Sequence, residues 1–162
     1  MTDETKRVED SSVTLSVMMG PQDTNGLGNV HGGVIMKLVD EAGGIAAMRH
    51  ARRPAVTVAM DSMTFMEPIR VGMLVQFSAQ LTYVGRTSME VRVEVTAENP
   101  IVGTTAVTNT AYLVYVALDD TGIPTSVPAL TYETDDQRKL AARAKERQAY
   151  RKKQRQQEAN TQ

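Results

Sequence analysis

Two adjacent acids, Asp40 and Glu41, stand in the middle of a segment whose other residues are almost all apolar. From 34 to 48 the apolar side chains cover nearly the whole circumference of a helix, which predicts a buried helix. An unpaired carboxylate is costly to bury, so at least one acid needs an explanation other than folding. An ion pair with Lys37 or Arg49 is one interpretation. The other is a general base, since a positioned carboxylate can take a proton from water.

The segment before this helix carries groups that suit the attack of water on a carbonyl. Asn25 stands in a polar loop, and its amide can orient water or a substrate; a simple turn residue is the alternative. Gly32 and Gly33 open the helix, where backbone N–H groups lack partners and the helix dipole is positive. Because a glycine pair lets a carbonyl oxygen approach closely, it favours an oxyanion hole, although a sharp helix entry also needs glycine.

A second polar group follows later in the chain, where Gly85 precedes Arg86, Thr87 and Ser88. One guanidinium and two hydroxyls after a glycine are a candidate cradle for the phosphates of a nucleotide. A hairpin turn with a solvated arginine is the alternative interpretation. Of the two histidines, His31 lies in the first loop, where a hydrogen-bonded structural role is favoured over proton donation.

Composition excludes several classes of protein. The 162 residues are 41% hydrophobic, enough for one domain with a core. The net charge of −1 gives no overall electrostatic case for binding nucleic acid or a membrane surface. No signal peptide or long apolar run is visible, so we expect a cytoplasmic protein. Without cysteine and with only 2 histidines, the chain lacks the donors of a usual metal site.

The apolar pattern predicts the elements that position these groups. A helix over 32–50 is followed by Pro54, which prevents its continuation. The period is two in the predicted strands, at 12–19, 55–66, 73–83, 86–95 and 104–118. Such long strands accumulate twist, so we expect an α+β domain in which a long antiparallel sheet wraps around one central helix. Exposed edges of that sheet favour self-association.

Charge divides the chain into a polar leader at 1–10, a domain at 11–131 and a tail at 132–162. The tail holds 9 basic and 5 acidic residues, whereas the rest holds 9 basic and 14 acidic residues. Helix propensity is high over 132–160, but Leu140 and Tyr150 are almost its only large apolar residues. We therefore expect a solvated helix, frayed or disordered beyond Tyr150, rather than a binding element.

Several segments occur together in an order typical of one family. They are D-T-N-G-L-G-N-V-H-G-G (23–33), K-L-V-D-E-A-G (37–43), V-T-V-A-M-D-S-M-T-F (56–65), P-I-R-V-G (68–72), V-G-R-T-S-M-E-V (84–91) and V-A-L-D-D-T-G-I-P (116–124). With the predicted elements, they resemble the hot-dog fold and, within it, the cytosolic acyl-CoA hydrolase family of thioesterases. The resemblance covers roughly residues 11 to 130 and leaves the basic tail outside.

This resemblance implies hydrolysis of acyl-CoA to a free acid and coenzyme A, without a cofactor. It implies that Asp40 activates water, that Asn25 of a neighbouring subunit orients the water or the thioester, and that residues 85–88 hold coenzyme A. In this interpretation the N–H groups of Gly32 and Gly33 polarise the carbonyl. It also implies a homo-oligomer, at least a dimer and in the family a hexamer of three dimers.

Two other functions remain open at this point. A dehydratase or hydratase of the same fold would need a histidine as proton shuttle, for which His31 is the loop candidate. A non-catalytic acyl-CoA sensor would use the basic tail to contact a partner. Release of free thiol from acyl-CoA distinguishes hydrolysis from both alternatives.

Overall fold

A curved antiparallel sheet wraps around one long helix, as predicted. The computed structural model describes residues 4–160, so the first three residues of the leader and the last two of the tail lie outside the described residues. The elements are β1 (Thr5–Arg7), β2 (Val13–Met18), α1 (Gly32–Ala51), β3 (Ala55–Met60), β4 (Leu74–Val84), β5 (Ser88–Asn99), β6 (Thr104–Ala117), β7 (Ala129–Thr131) and α2 (Asp135–Ala159). The main sheet has the strand order β2-β4-β5-β6-β3. The predicted α+β, hot-dog-like architecture is confirmed.

The three central strands carry the length and the alternation that the sequence predicts. Strands β4, β5 and β6 contain 11, 12 and 14 residues, and alternate side chains on each are buried against α1. Register shifts interrupt the pairing of β4 with β5, of β5 with β6, and of β3 with β6. Such bulges increase the local twist and bend a strand, which helps the sheet to close around the helix.

Helix α1 packs its sheet-facing side completely and leaves one flank exposed. Ile35, Val39 and Ala42 are fully buried, whereas Met36 and Met48 are 42% and 43% exposed. The expected burial on all sides is therefore wrong for the single chain, because the sheet covers only part of the helix surface. The helix ends at Ala51, and the next residue, Arg52, caps it in a left-handed conformation with φ 54° before Pro54.

Strand β3 is an edge of the sheet and is shorter than its predicted segment. It ends at Met60, after which residues 61–69 continue beside β6 as an irregular segment, with the backbone N–H of Asp61 donating to the carbonyl of Tyr112 at 2.9 Å. The side-chain amide of Asn109 holds this segment by donating to the carbonyl of Thr64 at 2.6 Å. The edge is apolar, since Val56 and Val58 are each 44% exposed.

Helix α2 lies on the outer face of the sheet and is held there by arginines. Arg147 and Arg151 donate to the carboxylate of Glu90 at 2.7 and 2.9 Å, and Arg151 also pairs with Asp61 at 2.8 Å. Only 3% of Glu90 is exposed. The predicted helix is confirmed, and it continues to Ala159 instead of fraying after Tyr150. It is not merely solvated, because a buried acid on β5 provides partners for two of its arginines. Within the described residues no helix is long and apolar enough to cross a membrane.

The Glu90 carboxylate is ionised because its partners outweigh its burial. Burial by itself raises the pKa of Glu90, but hydrogen bonds from Arg147, Arg151 and Thr82 bring the pKa below its ordinary value. Arg147 also stacks over the ring of Tyr112, with 3.7 Å from the guanidinium carbon to the ring centroid. The tail is thus attached through a buried charge network together with the small buried side chains of Ala141 and Ala144.

Candidate active site

The carboxylate of Asp40 is half-buried and bound by two hydroxyl groups. Thr57 of β3 donates to its Oδ1 at 2.7 Å, and Tyr115 of β6 donates to the same atom at 3.0 Å. Both donors come from strands that the chain reaches only after the helix, so the sheet fixes where the side chain of Asp40 points. Burial and the nearby charge of Asp40 raise the pKa of Tyr115, which therefore stays protonated and donates.

The ion-pair interpretation of Asp40 does not hold within the chain. Lys37 pairs with Glu41 at 3.6 Å, and Arg49 donates to the carbonyl of Ser12 at 2.9 Å. Neither cation reaches Asp40 among the residues that the structure describes. The adjacent acids thus have different environments: Glu41 forms an exposed surface pair, whereas Asp40 is held by neutral donors.

The start of α1 presents unpaired backbone donors beside a cavity. The N–H groups of Gly32 and Gly33 have no hydrogen-bond acceptor in the described part of the chain. A Cβ on Gly32 would lie 3.2 Å from the ring of Phe65, whereas a Cβ on Gly33 would meet nothing within 4 Å. A cavity of about 390 Å³ opens here, lined in part by Gly32, Phe65 and Met66. Such donors next to open space suit the oxygen of a polarised carbonyl.

Asn25 is part of a tight polar loop that fixes the orientation of its amide. Its Oδ1 accepts hydrogen bonds from the backbone N–H groups of Leu27 and Asn29, at 2.9 and 3.2 Å. Gly28 completes the loop with a φ of +79°, a conformation that favours glycine. The turn interpretation of Asn25 is therefore correct for its oxygen, while its Nδ2 donates to no described residue. No hydrogen bond links Asn25 to Asp40 across the described residues of one chain.

The segment from Gly85 to Ser88 forms the turn between β4 and β5. The N–H of Gly85 donates to the carbonyl of Ser88 at 2.8 Å, and the carbonyl of Arg86 accepts from Val127 at 3.1 Å. The guanidinium of Arg86 is exposed and has no ion-pair partner in the described chain. The structure thus fixes the backbone of this turn and leaves its cation available, but it does not bring the turn into contact with Asp40.

The remaining polar candidates do not form a second centre. His31 precedes α1 as an exposed residue, and its side chain forms no hydrogen bond with the described residues, so its expected hydrogen-bonded role stays a prediction. His50 is buried, with its Nε2 at 2.9 Å from the carbonyl of Pro128. No group of three or more potential metal ligands occurs among residues 4–160. Two larger cavities, of about 560 and 980 Å³, flank α2, but Asp40 lines neither.

Sequence reasoning missed Thr57 and Tyr115 as partners of Asp40. A signal was present, because both are polar residues within strands whose neighbours are mostly apolar. The strand register decides which of these hydroxyls face the helix: Thr57 pairs with Tyr115 across β3 and β6. That pairing is a long-range property, so the local pattern shows two polar residues without showing that they meet at Asp40.

Comparison with known proteins identifies a family whose sequences are similar to this chain. The profile of the thioesterase superfamily matches residues 27–104. The uncharacterized acyl-CoA thioester hydrolase YkhA of Bacillus subtilis is 38% identical over 136 residues, which are 84% of this chain and 79% of that protein. The cytosolic acyl coenzyme A thioester hydrolase of Rattus norvegicus is also 38% identical, but the chain spans only 36% of its length.

Solved structures extend the similarity over nearly the whole chain. The acyl-CoA hydrolase of Staphylococcus aureus, in complex with butyryl coenzyme A, coenzyme A and coenzyme A disulfide, is 34% identical with a TM-score of 0.89, covering 97% of this chain and 96% of that one. Variants of that enzyme with alanine in place of an aspartate, an asparagine or a threonine have TM-scores of 0.90, 0.92 and 0.89. A hexameric acyl-CoA thioesterase is 34% identical with a TM-score of 0.90, covering 93% of this chain and 97% of its own.

Proposed function

The chain belongs to the acyl-CoA thioester hydrolases of the thioesterase superfamily, and we propose that it hydrolyses acyl-CoA with Asp40 as the general base. The observation that carries this assignment is the half-buried carboxylate of Asp40, bound by Thr57 and Tyr115 and lacking a cationic partner in the described chain. Such a carboxylate is oriented without being neutralised, so it can accept a proton from water.

The proposed reaction proceeds by addition and elimination. Asp40 takes a proton from water as the water oxygen bonds to the thioester carbon, and the carbonyl oxygen becomes an oxyanion. The N–H groups of Gly32 and Gly33 stabilise that charge, because they lack other acceptors and lie at the positive end of α1. The tetrahedral intermediate then expels the thiolate, which the protonated Asp40 converts to the thiol. The products are the carboxylic acid and coenzyme A.

We propose that the site is shared between two subunits. Within one chain, Asp40 lies two helical turns, about 10 Å, from Gly33, and its carboxylate is turned toward β3 and β6. Thr57, which binds it, belongs to the exposed edge strand, where a second chain would extend the sheet. Docking at that edge would bring the partner's loop and helix start close to Asp40. In this arrangement one subunit supplies Asn25 and the glycine pair, and the other supplies the base.

The proposed assembly is a homo-oligomer in which the dimer is the catalytic unit. Apolar side chains exposed on one chain, such as Val56, Val58 and Phe65, would be covered by that contact. Hexameric structures among the related thioesterases favour a trimer of dimers as the complete assembly. The related mammalian enzymes are named cytosolic, and we extend a cytoplasmic location to this chain as part of the proposal.

Complementation between two inactive variants tests the shared site. Asn25→Ala and Asp40→Asn should each lose most turnover when they are made alone. Co-expression should restore about a quarter of wild-type activity, because half of randomly formed dimers are mixed and each mixed dimer has one intact site out of two. Thiol release per subunit, measured on assemblies checked by size, gives the result. If each chain carries its own complete site, the mixture stays as inactive as its components.

We propose that the turn of Gly85, Arg86, Thr87 and Ser88 binds the phosphates of coenzyme A. A guanidinium without an ion-pair partner in the described chain, on a backbone fixed at Gly85 and Arg86, is suited to a charged ligand that arrives from solvent. The hydroxyls of Thr87 and Ser88 would add neutral donors.

Arg86→Gln should raise the KM for acyl-CoA about tenfold and leave kcat nearly unchanged, since the contact is made equally to substrate and transition state. The matched control is Arg138→Gln, which removes another exposed cation, one that pairs with Asp135. Initial rates at low and high salt measure the effect, and the difference in KM should shrink with salt. Equal changes in both variants would contradict a specific role of Arg86.

The function itself is tested by incubating the purified protein with short, medium and long acyl-CoAs. Hydrolysis releases a free thiol, which a disulfide reagent detects. A dehydratase or hydratase would change the absorbance of an enoyl thioester without releasing thiol. A sensor would bind acyl-CoA and produce neither signal, and either of these outcomes would overturn the assignment.

A further inference from the structure

Among residues 4–160, the Asp40 carboxylate is held through only one of its two oxygens. Oδ1 accepts from both Thr57 and Tyr115, at 2.7 and 3.0 Å. Oδ2 accepts no hydrogen bond from the residues that the structure describes. Because two donors already occupy Oδ1, the two oxygens are chemically different, and Oδ2 keeps its lone pairs for another partner.

Tyr115 contributes more to this arrangement than a second hydrogen bond. Its side chain is only 1% exposed, and it stands on β6 between the buried apolar residues Leu113 and Ala117. The hydroxyl also lies 3.0 Å from the main-chain carbonyl of Asp40. One buried group therefore contacts the backbone and the carboxylate of the same residue, which fixes the side chain relative to the helix axis.

Helix α1 has a glycine where the Tyr115 hydroxyl approaches it. A Cβ on Gly43 would overlap the hydroxyl oxygen and lie 3.1 Å from two ring carbons of Tyr115. A Cβ on the next residue, Gly44, would lie 3.7 Å from the ring, an ordinary contact. Glycine weakens a helix interior relative to alanine. Gly43 thus supplies the space that lets the phenol reach Asp40, whereas Gly44 does not.

We propose that Tyr115 is a positioning residue: with Thr57 it fixes Oδ1 of Asp40 and so presents Oδ2 as the atom that takes the proton from water. This inference rests on the proposed function. In the step itself, an O–H bond of water breaks, the proton forms an O–H bond with Oδ2, and the water oxygen bonds to the thioester carbon. Lys37 and Glu41 on the same helix pair with each other, so hydroxyls from β3 and β6 dominate the surroundings of the carboxylate.

Tyr115→Phe tests the inference, because it keeps the ring and removes only the hydroxyl. We expect kcat to fall about 10- to 100-fold, the fold change that corresponds to one lost hydrogen bond to a charged group, with little change in KM. Initial rates over a range of substrate concentrations separate kcat from KM, and the loss should appear in kcat alone.

Tyr132→Phe is the matched control, since its hydroxyl donates to the carbonyl of Thr82 at 3.1 Å and not to Asp40. It should leave kcat and KM unchanged. A second pair of variants changes the glycines of α1 instead of Tyr115. Gly43→Ala should displace the phenol and reproduce the kinetic change of Tyr115→Phe. Gly44→Ala should keep wild-type kinetics.

A readout without turnover separates this inference from the proposed function. The ¹³C carboxyl resonance that Asp40→Asn removes identifies Asp40, and at one fixed pH its position should differ between Tyr115→Phe and the unmodified protein, because the carboxylate has lost a hydrogen-bond donor. A wild-type kcat and an unmoved resonance in Tyr115→Phe would overturn the positioning role, whatever Asp40→Asn does to activity. An active Asp40→Asn protein with a moved resonance in Tyr115→Phe would instead overturn the assignment of the base.

Discussion

Asp40→Asn should lower kcat by about 10²- to 10⁴-fold, the range that a positioned general base contributes, while the assembly and the KM for acyl-CoA stay close to wild type. Asparagine is the informative replacement because its Oδ1 can still accept from Thr57 and Tyr115. The other oxygen becomes an NH₂ group, which has no basic lone pair. The change therefore removes the proton acceptor and keeps the hydrogen bonds that hold the helix to β3 and β6.

The matched control for this experiment is Glu41→Gln, one residue further along α1. Glu41 forms an exposed pair with Lys37 at 3.6 Å, so removing its charge should leave turnover within about twofold of wild type. Thiol release over a range of substrate concentrations separates kcat from KM. The intact mass must confirm asparagine, because deamidation would restore the carboxylate. Turnover close to wild type in Asp40→Asn, with that mass confirmed, would exclude Asp40 as the base.

The local sequence pattern was sufficient to predict the parts of the site that lie on one helix or strand. Gly32, Gly33 and Asp40 belong to a single helix, so the start of the helix and the position of the acid follow from apolar periodicity and the glycine pair. The long strands were predictable for a similar reason, since alternation within β4 and β5 is local. The predicted strand at 55–66 was too long because the pairing with β6 becomes irregular after Met60.

Partners across the sheet were not predictable in this way. Thr57 and Tyr115 lie far apart in sequence, and only the register of β3 against β6 brings both hydroxyls to Asp40. The attachment of α2 to the sheet was not predictable for the same reason. Its sequence is highly charged and lacks an apolar stripe, so nothing local indicates that Glu90 on β5 is buried and pairs with two of its arginines. Charge complementarity between distant elements has no short-range periodic signal.

Arg151 of α2 links strand β5 to the segment that follows β3. Arg151 pairs with Glu90 on the outer face and with Asp61, the residue that follows β3. Asp61 begins the segment that continues to Phe65 and Met66, which line the cavity beside Gly32. Helix α2 is therefore attached at the start of the segment that leads to this cavity, although the cavity is lined by no residue of α2.

Glu90→Ala should reduce the free energy of unfolding by about 3–5 kcal/mol, because it leaves Arg147 and Arg151 partly buried without their carboxylate. Glu94→Ala is the matched control on the same strand and the same face. Glu94 pairs with Arg92 at 2.6 Å but is more exposed, so we expect a loss below about 1 kcal/mol. Urea unfolding at one fixed protein concentration measures both, and hydrogen exchange should show faster opening of α2 only in Glu90→Ala.

The difference in unfolding free energy between wild type and Glu90→Ala should depend on pH, which provides an independent check on the charge network. Because the pKa of Glu90 in the folded chain lies below its ordinary value of 4.5, its ion pairs stabilise the fold fully above that pH. As the pH falls through the folded pKa, Glu90 takes up a proton and the stabilisation disappears. The gap in unfolding free energy between wild type and Glu90→Ala should therefore be constant near neutrality and narrow in acid. A gap that widens in acid, or equal losses in Glu90→Ala and Glu94→Ala, would show that α2 is held by something other than the buried carboxylate.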